Sequence, residues 1–109
     1  MLRQGGVNMT VLDSVLIEEY HRKERMKEAF LCEIANLPKG CLSKKIIKGK
    51  EYFYREYKEN GKKVSKYVPL KDVESVRKQI ENRKALQKGL KEIEGDQRKI
   101  KKAVGDFVG

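Results

Sequence analysis

Between Glu59 and Lys62 the chain reads Asn-Gly, and this pair narrows the choice of fold more than any other feature. A type I′ turn needs positive φ at both central residues, which asparagine and glycine tolerate best. Runs rich in Tyr, Phe and Val flank it, Glu51–Lys58 before and Lys62–Val68 after. A third run, Ser43–Lys48, precedes them and is punctuated by Gly49. Pro69 stops the last run, because proline has no N–H to give to a ladder. The expectation is a three-stranded antiparallel meander within residues 42–68.

With Asn60-Gly61 as a two-residue loop, Tyr57 faces Val64, Arg55 faces Lys66, Tyr54 faces Tyr67 and Phe53 faces Val68. Side chains alternate across a strand, so the register divides the sheet. A two-residue first turn puts Leu42, Lys44, Ile46, Phe53, Arg55, Tyr57, Val64, Lys66 and Val68 on one face. This face is the more apolar and the better core candidate, although Lys44, Arg55 and Lys66 would form a row of like charges. The other face holds Ser43, Lys45, Ile47, Tyr52, Tyr54, Glu56, Lys58, Lys63, Ser65 and Tyr67.

Helical patterns lie on both sides. Thr10 and Asp13 imitate a capping box, and Leu12, Leu16, Tyr20, Phe30, Ile34 and Leu37 form a stripe interrupted near Lys23. Pro38-Lys39-Gly40 ends this helix, expected over residues 10–37. Asp72 is the expected N-cap of a second helix over residues 71–108. Val73, Val76, Ile80 and Arg83 are spaced 3-4-3. Leu86, Leu90, Ile93, Gln97, Ile100, Val104 and Phe107 then continue a coiled-coil-like seam. Gly89, Gly95 and Gly105 each weaken a helix by about 1 kcal/mol relative to alanine, which predicts a break or fraying near Gly95. The fold class is α+β: long helix, meander, long helix, with the helices paired antiparallel in coiled-coil fashion. The 109 residues suffice for one domain over residues 10–109. Residues 1–9 read as a disordered leader, with Met9 a candidate start.

Charge then points to function. Hydrophobic and charged residues each make up 39% of the chain, so the core is small, and net charge is +10. The distribution is uneven. Residues 1–36 carry 5 basic and 6 acidic groups, residues 37–69 carry 10 and 3, and residues 70–109 carry 11 and 7. The middle third alone is thus +7, a field that attracts polyanions. Lysines neutralise phosphates, and tyrosines offer flat stacking surfaces and hydroxyl donors. The candidate nucleic-acid-binding residues are Lys45, Lys48, Lys50, Tyr52, Tyr54, Lys58, Lys62, Lys63 and Tyr67.

Other classes find less support. No Gly-rich phosphate loop, paired carboxylates or nucleophile–histidine arrangement is present, so no catalytic residue is assigned and an enzyme is not expected. His21 is alone and Cys32 and Cys41 lack zinc spacing, so no metal or cofactor is expected. Cys32 reads as a buried helix residue. No apolar run approaches membrane-spanning length and no signal-peptide core is present, which leads to a cytoplasmic expectation with no membrane partner. The alternative to nucleic-acid (DNA) binding is a homo-oligomeric coiled-coil scaffold. In that reading Leu86, Leu90, Ile93, Ile100 and Val104 form a homodimer seam longer than the first helix can cover.

The segments Leu37-Pro38-Lys39-Gly40, Lys48-Gly49-Lys50-Glu51-Tyr52-Phe53-Tyr54, Asn60-Gly61-Lys62 and Ser65-Lys66-Tyr67-Val68 precede a Glu/Lys-rich helix. Together, over about residues 30–95, they resemble a small family of bacterial and archaeal proteins of unknown function. This implies a fold and no activity. The strand pattern and the Asn-Gly-Lys turn are also similar to the three-stranded arm-binding domains of tyrosine-recombinase integrases, whose sheet enters the major groove.

Overall fold

A computed structural model describes residues 10–105. The expectations for residues 1–9, and for Phe107 in the seam, lie outside the described residues. The element order is α1 (Val11–Ala35), β1 (Cys41–Ile47), β2 (Lys50–Glu59), β3 (Lys62–Val68), a short 3-10 turn (Leu70–Asp72) and α2 (Val73–Val104). The architecture is α+β, as the periodicities require. The chain divides into two compact units, one made of α1 up to Leu31 with α2 from Lys88, the other of Cys32–Gln87.

In the first unit the helices run antiparallel. Thr10 and Asp13 close a reciprocal capping box, each backbone N–H reaching the other's side-chain oxygen at 3.1 Å. Leu16, Ile17 and Tyr20 pack on buried Ile100 and Val104. One turn on, Lys23 binds Asp96 at 3.2 Å, and Gln97 Nε2 donates to the Glu24 carboxylate at 2.8 Å. Lys23 thus fills the gap in the α1 stripe with an ion pair, and buried Gln97 is satisfied across the seam. On the outer side, hydrogen bonds from the Arg22 guanidinium hold the Glu19 carboxyl at about 2, well below its ordinary 4.5.

Three expectations are corrected here, and the buried part of the α2 seam is located. Leu12 is exposed and does not extend the stripe. Cys32 is exposed as well, since it lies off the packed face of α1. α2 runs unbroken through Gly95 to Val104. Gly89 helps explain why glycine is tolerated: a Cβ there would stand 2.8 Å from Phe30 Cε2, so its absence makes room for the ring. Finally, Ile93, Ile100 and Val104 are buried at 4–8% exposure within the chain itself. Leu86 and Leu90 of the same seam are half-buried, and α1 supplies Leu16, Ile17 and Tyr20 against its end.

In the second unit α1 stops at Ala35, two residues short of the expected end. The last turn tightens through bonds from Asn36 N–H to the Glu33 carbonyl and from Leu37 N–H to the Ile34 carbonyl. The last turn of α1 has no basic residue of its own. Arg83 of α2 supplies the charge from outside, donating to the Ile34 carbonyl at 2.9 Å and the Leu37 carbonyl at 2.7 Å. Asp72 directly precedes α2, at the end of the 3-10 turn. The 3-10 turn starts the helical run earlier, and the Asp72 N–H is given to the Pro69 carbonyl at 2.9 Å. Ile34, Val68, Val73 and Ile80 form the buried apolar set of this unit.

Candidate nucleic-acid interface

The sheet order is β1-β2-β3. Its register matches the one derived from the Asn-Gly turn: Tyr57 pairs with Val64, Arg55 with Lys66, Tyr54 with Tyr67 and Phe53 with Val68. The first turn is also of two residues, since Ile47 pairs with Lys50. Both turns show paired positive φ, 52° and 80° at Lys48-Gly49, 52° and 77° at Asn60-Gly61. The two faces therefore divide as the alternation requires.

On the apolar face Phe53, Arg55, Tyr57 and Val64 are half-buried, as are Tyr52, Tyr54 and Glu56 on the other. Val68 on the apolar face is the buried strand residue. Leu42 borders a groove with Arg77, Ile80, Glu81 and Lys84 of α2. The expected row of like charges is defused by individual partners. Lys44 pairs with Glu51 at 3.2 Å. Arg55 donates to the Lys39 carbonyl at 2.8 Å and stacks 4.2 Å from the Tyr57 ring.

The opposite face carries no buried residue. At its centre Ser43, Tyr54 and Tyr67 lie side by side across the three strands. The Tyr67 ring stands edge-on to Tyr54 at 5.8 Å and tilted to Tyr52 at 6.4 Å. Tyr67 is 56% exposed, so the cluster is a platform with one side in solvent. Lys45 Nζ sits 4.8 Å from the Tyr54 ring centroid, a cation–π contact worth about 0.5–1 kcal/mol at an exposed site. It keeps a cation beside the platform without a carboxylate to neutralise it.

The candidate lysines divide between the two ends of the meander. Lys48 and Lys50 are at the β1–β2 tip, and Lys58, Lys62 and Lys63 at the β2–β3 tip. Lys50, Lys58 and Lys63 share the tyrosine face, Lys48 is in the turn, and Lys62, opposite Glu59, belongs to the apolar-face side. Lys58 stands directly opposite Lys63, a like-charge pair that opposes the sheet by about 0.2–1 kcal/mol unless an anion intervenes. Lys63 reaches Glu56 only at 3.8 Å. Among the described residues, Lys45, Lys48, Lys50, Lys58 and Lys62 have no ion-pair partner within 4.0 Å.

Sequence reasoning missed the role of stagger. Lys45 pairs with Tyr52, Ile46 with Glu51 and Ile47 with Lys50, but β3 ends its pairing at Phe53. Beyond that point β1 and β2 form a two-stranded ribbon. At the other end the Tyr57–Lys63 part of the second hairpin overhangs β1, whose pairing ends at Glu56. The signal was present in the run boundaries, since the apolar run before Gly49 starts opposite the middle of the next one.

Residues 17–78 match the model of a family described as a domain of unknown function, DUF6788. The match takes in more than half of the chain, including the whole sheet, and the chain belongs to this family. It agrees with the expectation of an uncharacterised family and brings no activity with it. No curated protein and no solved structure matches the chain.

Proposed function

We propose that this chain is a non-enzymatic DNA-binding protein that holds the phosphate backbone on its basic β-meander. The observation that carries the reading is the open sheet face: three clustered tyrosines with Lys45 on the ring of Tyr54, and lysines without carboxylate partners at both tips. Phosphate contacts need cations free to release counterions, and bases or sugars need flat or hydroxyl-bearing surfaces beside them. This face offers both. Its length also fits. At ~3.3 Å per residue the ten residues of β2 extend about 30 Å, close to one turn of duplex.

The test is a pair of charge-reversal variants. Lys45→Glu/Lys58→Glu/Lys63→Glu changes the face. Lys99→Glu/Lys101→Glu/Lys102→Glu makes the same charge change on exposed positions of α2. Fluorescence anisotropy with a labelled duplex should show the first variant weakened by roughly a hundredfold at low salt and the second by much less. Equal losses would mean that binding follows net charge and that the sheet is no dedicated site.

A further inference from the structure

The ribbon that overhangs β3 carries two features a solvated hairpin does not require. Ile46 and Ile47 next to its turn are 66% and 47% exposed, on opposite faces. The turn itself places Lys48 at φ 52°, where the second hairpin has Asn60 at the same angle. A left-handed conformation costs a residue with an ordinary side chain about 1–2 kcal/mol. An asparagine would have relieved that, so the lysine stands where turn chemistry alone would not put it.

The surroundings define what the isoleucines could meet. Lys45 and Lys50 flank Ile47 on its face and Lys48 stands in the turn, none with a carboxylate partner, whereas Ile46 lies on the other face opposite Glu51, which Lys44 holds at 3.2 Å. An apolar protein partner would leave these lysines facing its surface. A polyanion with an apolar interior satisfies both sets at once, and duplex DNA has that make-up, with phosphates outside and stacked bases within. An aliphatic side chain has no flat face with which to stack on a splayed base. Its gain comes from filling a gap between base pairs that remain stacked on either side. Proteins open such gaps with apolar wedges, isoleucine among them, and the duplex kinks where they enter. Ile47 also continues the line of the tyrosine face, since Lys50, Tyr52 and Tyr54 follow it on β2. A bilayer would accept the tip but leave that platform without a role.

We infer that the β1–β2 ribbon is a DNA-bending wedge, in which Ile47 enters a base step while Lys45, Lys48 and Lys50 hold the flanking phosphates. The inference rests on the DNA-binding reading and adds to it a duplex preference and a deformation. The test uses a short duplex carrying a donor and an acceptor dye at its ends. The full chain should raise transfer efficiency on binding. Ile47→Thr, which keeps a β-branched residue and every charge, should still bind with the same salt dependence while the rise in transfer is lost. Circular dichroism checks that this variant stays folded, and Ile47→Val, which keeps an apolar wedge, should retain the rise. Binding of the unchanged chain without any rise in transfer would overturn the wedge and leave the DNA-binding reading intact. No binding to duplex at micromolar protein would overturn both. Co-sedimentation of the unchanged chain with phosphatidylserine vesicles, lost in the threonine variant while duplex bending is absent, would assign the tip to membranes instead and overturn the wedge.

Discussion

Gly40 and Gly61 both hold a positive φ, but they meet different surroundings. At Gly40, with φ +102°, a Cβ would collide with the Glu56 carbonyl oxygen and lie 2.8 Å from Tyr57 Cβ. At Gly61, with φ +77°, it would find nothing within 4 Å. Gly61→Ala should therefore lose only the left-handed penalty, about 1–2 kcal/mol. Gly40→Ala adds a backbone clash at the entry to β1 and should lose at least about 3 kcal/mol by urea denaturation. Equal losses would contradict the close approach of residue 40 to β2. The turn role of both glycines was legible in the sequence. The clash was not, because it depends on a strand 16 residues away. The same limit hid Cys32: a helix residue of apolar character is read as buried until its partner helix fixes which side is covered.

Among the elements, α1 shows how an end can depend on a residue far along the chain. Proline and glycine at positions 38 and 40 marked the stop, and the helix closes just before them. What completes it is Arg83, whose position in a 3-4-3 apolar pattern read as seam. A long cation in such a pattern can reach a helix terminus, and only the fold decides which one. Arg83→Met keeps the apolar stem and leaves the Ile34 and Leu37 carbonyls without this donor. It should destabilise the chain by about 2 kcal/mol in chemical denaturation, since a charged donor to backbone oxygen is worth about 1.5–3 kcal/mol net. A change under about 0.5 kcal/mol would mean that solvent serves those carbonyls equally well. The sheet was the most legible element. Its register follows from two turn dipeptides and strict alternation, which fixed in advance which side chains share a face. Turn chemistry sets where a ladder begins and says little about where it ends, so the stagger that frees the two tips had to come from the pairing itself.

At the scale of the whole molecule the governing quantity is where charge is left unpaired. In the helices Glu19 pairs with Arg22 at 2.7 Å and Glu74 with Arg77 at 2.9 Å, while charge of both signs is more nearly balanced there. The meander instead combines 10 basic groups with 3 acidic ones and leaves most of its tip lysines free. The sequence disclosed that concentration, and the candidate residues assigned from it are gathered by the sheet into one platform and two tips. It did not disclose that Ile93, Ile100 and Val104 of the second helix are buried within the chain, because burial depends on which α1 side chains face them. No helix among the described residues is long and apolar enough to cross a membrane. The central claim is that free lysines on the meander bind phosphates, and the salt dependence of binding tests it most directly. With five or six such lysines engaged, the logarithm of the duplex association constant should fall against the logarithm of salt concentration with a slope of roughly −5. Lys45→Glu/Lys58→Glu/Lys63→Glu should flatten that slope by about 3. A slope near zero, or one that the triple variant leaves unchanged, would contradict the account.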